Sequence, residues 1–97
     1  MAYNIVYTAY AERDIWQVAD YLSEYSIEAA EKFLHTVKDR IEKLTDMPLM
    51  YPKINPHQEY RKMPVGDYVV VYLVNERINQ IIILRVVHGK RNYQAEL

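Results

Sequence analysis

The 97-residue sequence has no cysteine, only two glycines, and no apolar run approaching the length that crosses a bilayer. Without cysteine there is no disulfide framework, no thiolate metal site and no thiol nucleophile, which suits an intracellular life. So few glycines leave no glycine-rich loop to cradle a phosphate. The only serines, Ser23 and Ser26, fall between two helical patterns, where capping explains them better than nucleophilic catalysis. The three histidines, His35, His57 and His88, have no ligand spacing, so neither a structural metal nor a cofactor is expected. Met1 to Tyr10 lacks a charged region followed by a long apolar stretch, so a cytoplasmic protein without membrane attachment is expected.

Strong charge of one sign is also lacking. A net charge of −1 argues against indiscriminate binding to nucleic acid, which is driven by neutralising many phosphates. The average conceals a split: residues 1–59 carry six Lys/Arg against ten Asp/Glu, and residues 60–97 carry six against three. Arg61, Lys62, Arg77, Arg85, Lys90 and Arg91 therefore form a basic C-terminal part able to meet an acidic partner.

A composition of 51% hydrophobic and 26% charged residues in so short a chain predicts one domain with one core. Tyr3 to Thr8 alternates with period two and predicts a strand. From Ala9 the period becomes helical through Ala11, Ile15, Val18, Ala19 and Leu22, with Thr8 placed to cap, and the helix runs to about Glu24. Ser26 is the N-cap expected for a second helix with the stripe Ala30, Phe33, Leu34, Val37, Ile41 and Leu44, ended by Pro48. Glu28 with Lys32 and Asp39 with Lys43 are pairs on its wet side. The short connection predicts an antiparallel helical hairpin, with Trp16 closing it or meeting a partner. Tyr21 is expected to pack on the helices and Tyr68 and Tyr72 on the sheet.

Met47 to Glu59 carries three prolines and predicts an irregular crossing. Strands follow at Tyr60–Met63, Tyr68–Val74 and Gln80–His88, with Asn75–Asn79 as the hairpin loop of the last two. The class is thus α+β, ordered β-α-α-β-β-β. Both faces of the last two strands are apolar, with Val69, Val71 and Leu73 backing Tyr68, Val70, Tyr72 and Val74. The second face needs cover, either from a protein partner or from the irregular segment and the tail.

This order of elements, with particular residues, resembles the RelE/ParE toxin superfamily over nearly the whole chain. Ala11-Glu12-Arg13-Asp14-Ile15, then Val18 and Tyr21-Leu22, resembles the first-helix pattern of that family, and Glu28-Ala29-Ala30 the start of its second helix. Arg61, the pair Tyr68 and Tyr72, and the closing run Leu84-Arg85-Val86-Val87-His88-Gly89-Lys90-Arg91 stand where the family has an arginine, a Tyr-x-x-x-Tyr strand and an Arg-Val-Leu-His-Gly-x-Arg signature.

The resemblance implies a small sheet built from an N-terminal strand and a three-stranded antiparallel meander, and a toxin neutralised by a cognate antitoxin protein, touching operon DNA only through that antitoxin. It implies two kinds of target. The RelE branch cuts messenger RNA on the ribosome, using basic residues on the sheet and a Tyr or His near the C-terminus. Arg61, His88, Arg91 and Tyr93 would serve here as catalytic residues. Val69 and Met63, however, stand where an arginine and a lysine of that set are expected, and Tyr93 lies very near Arg91. The ParE branch poisons DNA gyrase, and the tail from His88 to Leu97 resembles that branch more closely. Its target-binding residues would be Arg61, Lys62, Arg85, Lys90 and Arg91. A third expectation is a non-toxic remnant that keeps only the antitoxin-binding surface.

Overall fold

The computed structural model describes residues 2–91. Strand β1 (Asn4–Tyr7) leads into helix α1 (Ala9–Ser23) and helix α2 (Ile27–Lys43), and strands β2 (Arg61–Val65), β3 (Tyr68–Asn75) and β4 (Gln80–His88) follow. The sheet has the order β1-β4-β3-β2, with β2, β3 and β4 an antiparallel meander and β1 parallel to β4. The first and last strands are therefore neighbours. No helix among the described residues is long and apolar enough to cross a membrane.

Both helices start where an oxygen side chain satisfies an orphan amide. The Ala11 N–H donates to Thr8 Oγ at 3.1 Å, and the Ala29 N–H to Ser26 Oγ at 3.2 Å. The end of α2 differs from expectation. It stops at Lys43, well before Pro48, because the chain tightens into i→i−3 bonds from Leu44, Thr45 and Asp46, and the Thr45 hydroxyl donates to the Glu42 carbonyl at 2.8 Å. On its exposed side Lys43 reaches Asp39 at 3.1 Å, while the Glu28 carboxylate accepts from the Ser26 hydroxyl.

β2 runs two residues beyond the expected Met63. Pro64 is tolerated because β2 is an edge strand, and Gly66, at φ +60°, closes a two-residue turn with Asp67 into β3. At the other hairpin the Asn75 side chain accepts from the Arg77 N–H, and Asn79 takes a left-handed conformation.

The helices cover one face of the sheet. Val37 and Ile41 of α2, its C-cap Leu44 and Ala11 of α1 meet Met63, Val65, Val70, Tyr72, Ile81, Ile83 and Val86 in the main core. Each large aliphatic chain buried there contributes about 1.5–3 kcal/mol, so α2 and the central strands carry most of the stability. α1 buries Ala11, Asp14 and Ala19, and packs Ile15, Val18 and Leu22 against the core with those chains only partly covered. On the second face Ile54 and Tyr60 of the irregular segment pack on Val69, Val71 and Val87, so the chain covers part of that face itself. Tyr21, expected to pack on the helices, is 55% exposed, and Trp16, at 60% exposure, does not close the hairpin, which leaves the other expectation for it, contact with a partner. Trp16 borders a groove of about 520 Å³ with Tyr7, Ile15, Leu34 and Val37 instead of sealing the hairpin, and Tyr21 meets Tyr25 edge-on at 5.4 Å.

Candidate functional site

The geometry of the basic C-terminal corner begins with the shortness of β1. It pairs with β4 only from Asn4–Gln80 to Tyr7–Ile83, because Thr8 turns the chain into α1. The Thr8 hydroxyl caps that helix and also lies 2.9 and 3.1 Å from the Ile83 and Leu84 carbonyls of β4. Beyond that point β4 continues through Leu84–His88 with no strand on that side among the described residues, and its pairing with β3 shifts register between Val71 and Tyr72. α1 crosses this open edge and presents Asp14.

Asp14 is the only charged side chain buried among the described residues. It accepts from Arg85 Nε at 2.7 Å, from a second Arg85 guanidinium nitrogen at 3.1 Å, and from the Val86 backbone N–H at 2.9 Å. The two-pronged contact is the strong form of an arginine–carboxylate bond, and it satisfies a carboxylate that would otherwise be costly to bury. The sequence reading passed over this role. Its signal was present, since Asp14 interrupts the apolar stripe of α1 between Ala11 and Val18. A charge on a buried stripe calls for a buried partner.

Past Val87 the chain turns sharply. The Gly89 N–H donates to the Asp67 carbonyl at 2.8 Å, and a Cβ on Gly89 would come within 3.3 Å of that oxygen, so glycine permits the close approach. The Lys90 N–H donates to His88 Nδ1 at 3.2 Å, and the Arg91 N–H to the His88 carbonyl at 3.0 Å. A neutral imidazole accepting at Nδ1 carries its proton on Nε2. The His88 ring stands edge-on to Tyr68 at 5.5 Å, and Tyr68 edge-on to Phe33 at 5.2 Å, which ties the corner to the core. Between this corner and α1 lies a hollow of about 260 Å³ bordered by Gln17, Tyr21, Tyr68, Val86, His88 and Arg91. Burial, then the Asp67 charge, raises the pKa of Tyr68, and a hydrogen bond with Tyr25 leads the rise at Tyr21. Both walls offer a phenol that can donate a hydrogen bond and a ring that can pack.

The structure sorts the residues singled out from the sequence. His88, Lys90 and Arg91 share one exposed turn. Arg85 is a neighbour in sequence but is engaged with Asp14. Arg61 lies elsewhere: it pairs with Tyr72 while His88 pairs with Tyr68, four positions or roughly 13 Å along the strands. There it donates to the Tyr51 carbonyl at 2.7 Å and the Leu49 carbonyl at 3.4 Å, pinning the proline-containing segment. The same segment is held by the Tyr72 hydroxyl, which donates to the Pro48 carbonyl at 2.9 Å, and by Arg40, 3.0 Å from the Tyr51 hydroxyl. Burial, partly offset by the Arg61 charge, pushes the Tyr72 pKa up to about 12. Lys62 is half-buried, paired with Val71 of β3. Tyr93 lies outside the described residues.

Comparison with known structures places the fold among toxins of toxin–antitoxin pairs. A chain of the chromosomal ParDE system of P. aeruginosa superposes with a TM-score of 0.75 at 16% identity, covering 90% of this chain and 96% of that one. A chain of the RelBE2 toxin–antitoxin complex of Mycobacterium tuberculosis gives 0.68 at 19% identity, covering 91% and 99%. The isolated E. coli RelE toxin gives 0.65 at 14% identity, covering 98% and 93%. Among curated protein sequences there is no significant match. The family model for the ParE toxin of the type II toxin–antitoxin system parDE matches residues 5–93. With nearly its whole length matched, this chain belongs to the ParE toxin family of type II toxin–antitoxin systems.

Proposed function

We propose that this toxin acts by binding and poisoning DNA gyrase through the exposed corner formed by His88, Lys90 and Arg91, and that a cognate antitoxin neutralises it. The observation that carries this reading is the dispersal of the residues a nuclease would need. Cleaving RNA requires a base for the 2′-hydroxyl, a cation at the phosphate and an acid for the leaving oxygen, all within reach of one phosphodiester. Arg61 stands roughly 13 Å from the His88 end of the sheet and is occupied by two carbonyls. At the two positions where a ribonuclease of this superfamily would carry further cations, Met63 is 1% exposed in the core and Val69 packs against Val71 and Val87.

One observation favours the ribosome-dependent endoribonuclease as a second reading. His88, whose Nδ1 accepts from the Lys90 N–H, shares the rim of the hollow with Arg91, which sets an imidazole beside a cation. Purified toxin titrated into a gyrase supercoiling reaction, in parallel with message on translating ribosomes, separates the two. Inhibition of supercoiling with intact message supports the gyrase reading. Normal supercoiling at excess toxin overturns it, and message cleavage that disappears in Arg91→Ala establishes the second.

The antitoxin enters by analogy with relatives solved as toxin–antitoxin complexes. In this reading it lays an amphipathic helix or strand on exposed apolar surface such as the groove beside Trp16, and the pair reaches operon DNA through the antitoxin. Failure of the protein encoded beside this toxin to bind it would remove that part.

A further inference from the structure

The corner carrying His88, Lys90 and Arg91 is held by few strand-to-strand bonds. β3 begins at Tyr68, opposite His88, and on the other side β1 has already ended opposite Ile83. Had β1 continued in register, the Val86 N–H would face a carbonyl of its next residues. The chain there is the first turn of α1, whose carbonyls are committed to helical bonds, as the Thr8 carbonyl is to the Glu12 N–H. The Asp14 carboxylate occupies the vacant acceptor position, 2.9 Å from Val86 N, while gripping Arg85 at 2.7 Å. One carboxylate thus fixes two consecutive residues at the register shift, two residues before His88.

We propose that Asp14 is a positioning residue for target binding: its carboxylate replaces the missing continuation of β1, and through the Val86 N–H it sets where His88, Lys90 and Arg91 stand. This rests on the reading that the corner docks the target. The bond to Val86, more than the ion pair, is what positions the corner, since the backbone of β4 leads directly into His88 whereas the guanidinium is a side-chain tether. Arg85 balances the charge that Asp14 brings into the interior.

The proposal separates two variants that each remove one partner of the carboxylate. Replacing the amide between Arg85 and Val86 by an ester removes the N–H and leaves Asp14 and Arg85 in place. Arg85→Met removes the ion pair and leaves the N–H with its acceptor. Solution NMR of the full chain supplies a readout that needs no target: the His88 ring protons feel the ring current of Tyr68 at 5.5 Å, so displacement of the corner moves their shifts. The ester is expected to move them towards values of an unstructured histidine and to raise the toxin concentration for half-maximal gyrase inhibition about tenfold. Arg85→Met is expected to keep the ring shifts and the slow exchange of the Val86 amide, with inhibition within about threefold of the parent. Exchanging the two side chains in a D14R/R85D variant restores opposite charges but gives Val86 no acceptor from α1, and is not expected to recover the parent shifts.

Parent-like ring shifts in the ester variant overturn the proposal, and so does recovery of those shifts in the exchanged pair. If the parent toxin does not inhibit gyrase, the docking reading fails while the ring shifts still decide whether Asp14 positions the corner. If the exchanged pair does not fold, the ester and Arg85→Met comparison decides alone, because each removes no more than one partner of the carboxylate.

Discussion

Two ends of one sheet use the same residue types to opposite ends. At the end where β2 starts, Arg61 is turned onto the carbonyls of Leu49 and Tyr51 and the Tyr72 hydroxyl onto Pro48, so cation and phenol fasten a loop that has little regular backbone bonding of its own. At the end where β4 finishes, His88, Lys90 and Arg91 stand exposed on a turn, beside a partly exposed Tyr68. Arg85, between them in chain order, belongs with the first group because Asp14 claims it. A basic patch read from sequence is a list of charges. Whether a charge serves the fold or a partner depends on which acceptors the backbone leaves within its reach.

That contrast is broken most severely at Asp14. Asp14→Ala removes the acceptor for Arg85 and for Val86, and losing one member of a buried pair costs about 3–5 kcal/mol. With the Arg85 side chain 23% exposed, the lower value is expected, read as a reduced urea midpoint. Arg61→Met is expected to cost about 1.5 kcal/mol, from the loss of charge-assisted bonds to two carbonyls, and to increase proteolysis between residues 47 and 60 while gyrase inhibition stays unchanged. Tyr72→Phe is expected to cost about 1 kcal/mol, from the bond to Pro48. It also carries a pH signature. The folded pKa of Tyr72 is raised from the ordinary 10 to about 12, so its contribution is complete below pH 10 and is lost as pH climbs from 10 towards 12. The parent should therefore lose stability over that interval more steeply than Tyr72→Phe.

Arg91→Ala closes the series. Its effect on stability is expected within about 0.5 kcal/mol, yet it should raise the toxin concentration for half-maximal gyrase inhibition about tenfold. Between Arg61 and Arg91 the order of effects on stability is thus inverted for inhibition. A large stability loss in Arg91→Ala, or lost inhibition in a folded Arg61→Met, would erase the distinction between the two ends.

The local chemistry of the fold was legible in the sequence. Thr8 and Ser26 read as caps because an oxygen preceding an apolar helical stripe has one common use, and the meander read from its alternation and turns. What escaped involves partners far apart in the chain. β1 lies beside β4 across 76 positions, and Asp14 meets Arg85 across 71. No window of the sequence holds both members. The register shift hid the corner in another way: strict alternation along β4 from Ile81 and Ile83 puts Arg85 on the core face, whereas Val86 fills the core after Ile83. Of the residues expected to form a site, His88, Lys90 and Arg91 were readable as a cluster because they are consecutive in one turn. Arg61 was grouped with them by charge alone, and only the register along β2 and β3 separates them.

The pairing of β1 with β4 has a consequence for how the molecule comes into being. Asn4 finds its neighbour only after Gln80 has been made, so the sheet cannot close while the chain is partly synthesised. Contacts of such high sequence separation form late and slowly. The helical hairpin assembles early from neighbours in the chain, but β4, with the corner it carries, is supplied only after β1, both helices, β2 and β3. A toxin built in this way cannot complete its sheet or present that corner until translation has passed β4.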